Sequence, residues 1–165
     1  MSKLRIVEYR DDLAADFYAI NAAWIRAMFV LEAHDEHVLS HPRETIVDQG
    51  GTVLFVADPD GTILGTGALM PTGAGALELT KMGVHEAARG TGAGAFLLAA
   101  LIERGRALGA DPLYLLTSAR CEAAIHLYED AGFEHDAAII AKYGATYERC
   151  DVAMRMLQVG SGAAS

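Results

Sequence analysis

The chain has 165 residues, the length of one ordinary domain, and 52% of them are hydrophobic, enough to form a sizeable core without disulfides or metals. A charged fraction of 21% excludes a disordered polyelectrolyte, and a net charge of −9 (22 acidic, 13 basic) argues against nucleic acid or an anionic membrane as the main partner. No apolar run approaches the ~18 residues of a membrane span, and Met1 to Arg5 lack the apolar core of a signal peptide, so a cytoplasmic protein is expected.

Leu4 to Tyr9 alternates apolar and polar residues and predicts a first strand. Asp11 or Asp12 is placed to cap a helix whose apolar positions Leu13, Phe17, Ile20 and Trp24 recur at helical spacing, continued by Met28 and Leu31. A polar stretch follows with Glu32, His34, Asp35, Glu36, His37 and His41, and Pro42 ends or redirects it. Gly50-Gly51 opens a strand over Thr52 to Ala57, and Asp58-Pro59-Asp60-Gly61 turns the chain into its partner, Thr62 to Met70. Gly73-Ala74-Gly75 is a second turn, before a strand from Leu77 to Val84, so this half reads as an antiparallel meander.

The pattern then changes. Gly92 to Leu108 carries Ala and Leu at helical spacing, with Gly109 beyond its end. Leu113 to Thr117 is a short apolar strand, and Glu122 to Ala131 a helix stopped by Gly132. Strand, helix, strand, helix makes the Leu77 and Leu113 strands parallel. Phe133 to Ala137 and Val152 to Leu157 read as closing strands and Gly160 to Ser165 as a loose tail, with no repeat and no interdomain linker.

Between the fourth predicted strand and the long helix lies Arg89-Gly90-Thr91-Gly92-Ala93-Gly94. Small residues there let backbone approach a ligand closely, and the free N–H groups and dipole of the helix start suit a phosphate or pyrophosphate, with Arg89 adding a charge-assisted contact. Gly90, Gly92 and Ala95 also satisfy G-x-G-x-x-G/A, the dinucleotide fingerprint of an oxidoreductase. That rival expects the turn after a first strand and an acid at the end of the next one; here the turn follows a meander, and Asp111 precedes the next strand. His34, His37 and His41, three and four apart, resemble a metal cluster, but no HExxH pattern accompanies them and exposed loop histidines explain them as well, so no metal is expected. Cys121 and Cys150 lack metal-ligand spacing; a disulfide between them is left open, and two reduced thiols are the reading taken.

These residues resemble the GNAT acetyltransferase superfamily. Its CoA turn, Q/R-x-x-G-x-G/A, is matched by Arg89, Gly92 and Gly94, and its helix signature, N-x-x-A-x-x-x-Y-x-x-x-G-F, by Ala124, Tyr128, Gly132 and Phe133. Cys121 stands where the Asn is usual, beside the cofactor but without that Asn's contacts. Leu77 to Phe133 carries the resemblance. Ala23-Trp24-Ile25, Leu79 to Met82 and Tyr147-x-Arg149 extend it to a bacterial single-domain subgroup of undefined substrate.

The resemblance implies one N-acetyltransferase domain over residues 1–159, an α/β fold with a twisted mixed sheet of about seven strands, helices on both faces, and a flexible tail over 160–165. It implies acetyl-CoA in a gap between the Leu77 and Leu113 strands, and direct acetyl transfer to a primary amine of a small molecule, amino acid or peptide. The pyrophosphate would take the N–H groups of Arg89, Gly90, Thr91, Gly92, Ala93, Gly94 and Ala95, and the pantetheine arm the backbone of Met82 and Val84, with Gly83 marking a bulge. Tyr128 is implied as general acid at the CoA sulfur. Glu78 is implied as base, against the alternative of a solvent-facing strand glutamate, and Lys81 reads as a surface or structural residue. Glu32, Asp35, Tyr147 and Arg149 are placed at the acceptor, the acids to hold a cation and Arg149 to clamp a carboxylate. A CoA-binding module without turnover is the alternative function, and a homodimer is left open.

Overall fold

The computed structural model describes residues 3–156; the expected tail and Leu157 lie outside the described residues. Strand β1 (Arg5–Glu8) leads through one turn of 3₁₀ helix (Asp11–Leu13) into α1 (Ala14–Met28) and then α2 (Ala33–Ser40). Strands β2 (Thr52–Ala57), β3 (Ile63–Gly73) and β4 (Ala76–Val84) form the expected antiparallel meander. Helix α3 (Ala93–Ala107), β5 (Leu113–Thr117), α4 (Glu122–Ala131), β6 (Phe133–His135), α5 (Ala137–Tyr143) and β7 (Val152–Met156) complete the chain. The seven strands form one mixed sheet in the order β1-β2-β3-β4-β5-β7-β6, with β4 and β5 parallel as the alternation of elements requires. Among the described residues, no helix is long and apolar enough to cross a membrane.

Strand alternation divides the core. Leu54, Leu69, Leu77, Leu79, Leu113 and Leu115 face α3, whose Leu97, Leu98 and Leu101 are fully buried. Val53, Phe55, Ala68 and Met70 face the other way, onto Phe17 and Ile25 of α1 and Val38 and Leu39 of α2. Truncating one such leucine to alanine costs about 2–5 kcal/mol, so either layer alone is a large share of the stability.

Several local expectations are corrected. Asp11 and Asp12 do not cap α1: Asp11 accepts from Arg43 Nε at 2.8 Å and Asp12 from Arg10 Nε at 3.0 Å, ion pairs that replace the caps. Leu31 is not in the helix, which closes at Met28, with Phe29 extended. The polar stretch after it contains α2, started by a capping box in which Glu32 and Asp35 each bond the other's backbone N–H. Its buried face includes Asp35 as well as Val38 and Leu39, so an apolar stripe is missing from the sequence. Strand β6 stops at His135, because the Asp136 side chain accepts from the Ala138 N–H and begins α5 where a strand ending at Ala137 was expected.

The bulge is also displaced. Gly83 pairs in register with Thr66, whereas Gly67 faces two residues of β4, Lys81 and Met82, between the Ala68–Thr80 and Thr66–Gly83 pairs. Lys81 carries the left-handed backbone, φ +53°. Gly83 is glycine for another reason: a Cβ there would come within 2.5 Å of the Trp24 indole.

Candidate active site

Strands β4 and β5 are paired only over Leu77–Leu79 and Leu113–Leu115. Beyond them the strands separate, and a cavity of about 420 Å³ fills the gap. Its walls are Leu79 to Val84 on β4, Leu116 and Thr117 at the end of β5, Cys121 before α4 with Glu122 to Ala124 and Tyr128 on it, and Trp24 and Ala27 to Phe29 around the end of α1. The Trp24 wall is fixed: its Nε1 donates to Asn21 Oδ1 at 2.9 Å, and the fully buried Asn21 donates to Phe17 O at 3.0 Å. Helical spacing alone cannot separate this wall from ordinary core.

The residues expected to hold a cofactor are distributed along one side. Met82, Gly83, Val84, Arg89, Cys121 and Tyr128 line the cavity. Gly90 to Ala95 lie outside its walls, on the turn that follows Arg89 and starts α3. Gly90 and Gly92 have left-handed backbones, φ +81° and +87°, and between them the Thr91 hydroxyl donates to Ala88 O and accepts the Ala93 N–H at 3.4 Å. The N–H groups of Arg89, Thr91 and Ala93, expected to face a pyrophosphate, are bonded to Glu86 O, Ala88 O and Thr91 Oγ1, so an anion meets those of Gly90, Gly92, Gly94 and Ala95 at the positive end of a 15-residue helix. The turn follows the fourth strand, not the first, which removes the main structural requirement of the dinucleotide reading.

Tyr128 stands in the cavity wall with its ring edge-on to Phe133, centroids 6.0 Å apart. Burial pushes its hydroxyl up to about 12, helped by the nearby Cys121 and Cys150. It therefore stays protonated at neutral pH. Both cysteines are free thiols that line the cavity, and burial raises Cys150 to about 12 as well.

The opposite side is a buried ionic network. Arg149 donates to both oxygens of Asp35, at 2.7 and 2.9 Å, and to Glu32 at 3.1 Å. Lys81 Nζ donates to Asp35 Oδ1 and to the Tyr147 hydroxyl, each at 2.9 Å. Glu32 accepts the Glu148 N–H at 3.1 Å. Asp35 is 0% exposed; burial alone would raise its carboxyl, but the bonds from Arg149 and Lys81 hold it at about 2. For Lys81, burial outweighs the pull of Asp35 and Glu78 and lowers the ammonium, with a small further push from the like charge of Arg149.

Expectation and placement diverge here. Glu32, Asp35, Tyr147 and Arg149 do come together, and Tyr147 and Arg149 line the cavity. The charges of Glu32, Asp35 and Arg149, however, are satisfied by one another, so Asp35 is not a free seat for a cation and Arg149 is not a free clamp. Lys81, expected to be a surface or structural side chain, is 4% exposed and structural. Glu78, with a solvent-facing alternative, is 2% exposed and sits behind Thr80 instead of in the cavity wall. Burial raises it to about 7 against the pull of Lys81, Thr80 and Arg149. Of the histidines, His34 packs edge-on against Tyr147 with its Nε2 buried and unpartnered, and burial, then Lys81, lowers its pKa. Among the described residues no group of three or more His, Cys, Asp or Glu is arranged to hold a metal ion.

Comparison with known proteins agrees with this geometry. Residues 8–133 match the model of the acetyltransferase (GNAT) family. A protein of Escherichia coli K12 named "Uncharacterized N-acetyltransferase YjgM" is 37% identical over 93 residues; the match spans about half of each chain, 54% of this one and 56% of that protein. Among solved structures, an acetyltransferase of the GNAT family from Staphylococcus aureus Mu50 superposes with a TM-score of 0.83 at 18% identity, covering 93% of this chain and 98% of that one. The yncA protein of Salmonella typhimurium, solved with its cofactor acetyl-CoA, superposes with a TM-score of 0.67 at 22% identity, covering 82% of each chain.

Proposed function

The chain belongs to the GNAT family of acetyltransferases, and we propose that it moves an acetyl group from acetyl-CoA directly to a primary amine of a small molecule, amino acid or peptide. The observation that carries this is the parting of β4 from β5 around a cavity, with the Lys81–Met82 bulge on one wall and Tyr128 on the other. The strand edge left unpaired past Leu79 suits an extended amide-bearing arm, and the open Gly94 and Ala95 N–H groups at the start of α3 suit its phosphates. The bound thioester supplies an activated acyl group and a thiolate leaving group of pKa about 8.5.

The chain's own residues then divide the work. The backbone of Met82 and Val84 holds the arm, and an N–H beside the bulge polarises the carbonyl. Tyr128 donates a hydrogen bond to the departing sulfur. With a hydroxyl near 12 it stabilises a good leaving group more than it drives proton transfer, so its loss slows the reaction without abolishing it. Glu78 takes the amine's proton. It does so at a distance, through the Thr80 hydroxyl and then Tyr147, whose oxygens lie 3.4 Å apart, and a pKa near 7 matches that task at neutral pH.

Thermal unfolding with acetyl-CoA, CoA or NADH tests this reading. A cofactor at 100 times its Kd adds about 2.7 kcal/mol, a rise of roughly 5–10 °C for a domain of this size. Acetyl-CoA and CoA are expected to give that rise and NADH none. Thiol release should then depend on an added amine, and fall about tenfold to a hundredfold in Tyr128→Phe. No shift with either CoA species overturns the proposal; a shift without amine-dependent release reduces the protein to a CoA-binding module.

A further inference from the structure

Past the end of α1 the cavity opens into a shallower depression, and the two share Ala27, Met28, Phe29, Arg120 and Arg149 as walls. No residue of the phosphate turn borders this depression. Its ionisable groups are Arg26, Glu32, Arg120, Glu148 and Arg149. Glu32 and Arg149 are bonded to each other, and Arg149 also to Asp35. Arg26 interacts with Tyr18 and Glu36. Glu148 borders the depression but not the cavity.

Arg120 differs from all of these. It is exposed, it borders both spaces, and among the described residues no carboxylate lies within ion-pair distance of it. Its main chain is fixed by an N–H bond to Ser118 Oγ at 3.2 Å, and its guanidinium lies over the Phe29 ring, 4.7 Å from the centroid. A cation seated over a ring spends none of its N–H donors there, so the guanidinium fork stays open to grip a carboxylate through two parallel bonds. In a chain of net charge −9, an oriented and unpaired cation at the junction of cavity and entrance is a specific feature.

We propose that Arg120 binds a carboxylate on the acceptor, which makes the acceptor an amine that carries a carboxylate, an amino acid or a related amino carboxylate. The proposal rests on the cavity being the acetyl-transfer site.

The test compares amino acids with their carboxamides, matched in side chain, by thiol release from acetyl-CoA, in the wild type, Arg120→Gln and Arg120→Lys. Melting of the CoA-saturated protein with the N-acetyl acids and N-acetyl amides runs in parallel. The wild type is expected to favour acids. Arg120→Gln should lower kcat/KM for acids by about tenfold to a hundredfold, through KM, leave the amides unchanged and so cancel differences in amine basicity, while Arg120→Lys recovers part of the loss. Equal losses for acids and amides in Arg120→Gln, or no acid that reacts with or stabilises the CoA-loaded wild type, overturns the inference. Failure of CoA itself to stabilise the protein overturns instead the function on which the inference rests.

Discussion

On the β4–α3 side of the cavity, a ligand meets backbone: the strand edge past Leu79, the bulge at Lys81 and Met82, and the glycine turn before α3. On the α2–β7 side the structure is held by charge, with Asp35, Glu32, Lys81 and Arg149 bonded together under the cavity wall. The first side is open and needs a ligand to complete its hydrogen bonds. The second is already complete and serves to hold Tyr147 and Arg149 in place. A backbone site tolerates side-chain change wherever glycine geometry is kept, whereas a saturated buried network tolerates the loss of no member.

The largest effect that separates them is expected from Asp35→Asn. It leaves Arg149 and Lys81 without their shared carboxylate, one fully buried and the other nearly so, and removal of one partner of a buried ion pair costs about 3–5 kcal/mol. Denaturant unfolding of wild type and variant measures it. A loss under 1 kcal/mol would mean that water or rearrangement satisfies the two cations, and the contrast between the walls would collapse.

That contrast also explains what the sequence disclosed. The phosphate turn and the Tyr128 helix are contiguous, so fixed spacing exposes them, and the meander and the parallel β4–β5 pair follow from turn residues and element alternation. The network joins residues 46 and 114 positions apart, Asp35 with Lys81 and Asp35 with Arg149, and no local pattern encodes such a pair. Helix α2 was hidden for the same reason: its inward face carries Asp35, a charge at a core position, which breaks the apolar periodicity. Nothing in the sequence distinguishes Arg120 from a surface arginine, because its partner Phe29 is 91 positions away. The bulge lies two residues before Gly83 because glycine is only one way to reach a left-handed backbone, and here a lysine fixed by Asp35 and Tyr147 adopts it.

A second prediction sharpens the charged side through pH. The folded-state pKa of Glu78 is raised from an ordinary 4.5 to about 7, so between these values the native state holds a proton that the unfolded state has lost. Stability therefore falls as pH rises through this window and levels off above it, by about 3 kcal/mol for a shift of this size. His34 titrates in part of the same window with the opposite sign, since a lowered histidine pKa makes the native state gain stability as pH rises. The difference between wild type and Glu78→Gln isolates Glu78: the variant should gain relative stability from pH 5 to pH 8. A parallel pair of pH curves would mean that Lys81 and Arg149 keep Glu78 ionised throughout.

The smallest effects lie on the backbone side, where one methyl group added at two positions of the same turn should act with opposite sign. At Gly92, φ +87° with open space around the Cβ position, alanine clashes with nothing but must adopt a left-handed backbone, at about 1–2 kcal/mol. At Gly94, inside α3, a Cβ would sit at an ordinary 3.7 Å from Leu127 and Val84, and alanine should gain up to about 0.5–1 kcal/mol from lost chain entropy. Melting without ligand reads these two signs, and melting with CoA adds the function: Gly92→Ala should blunt the CoA response, because the turn now holds its N–H groups on one anion only at that cost, while Gly94→Ala should keep it. If both variants respond to CoA as the wild type does, the phosphates are not held by this turn, and the open wall of the cavity is a strand edge alone.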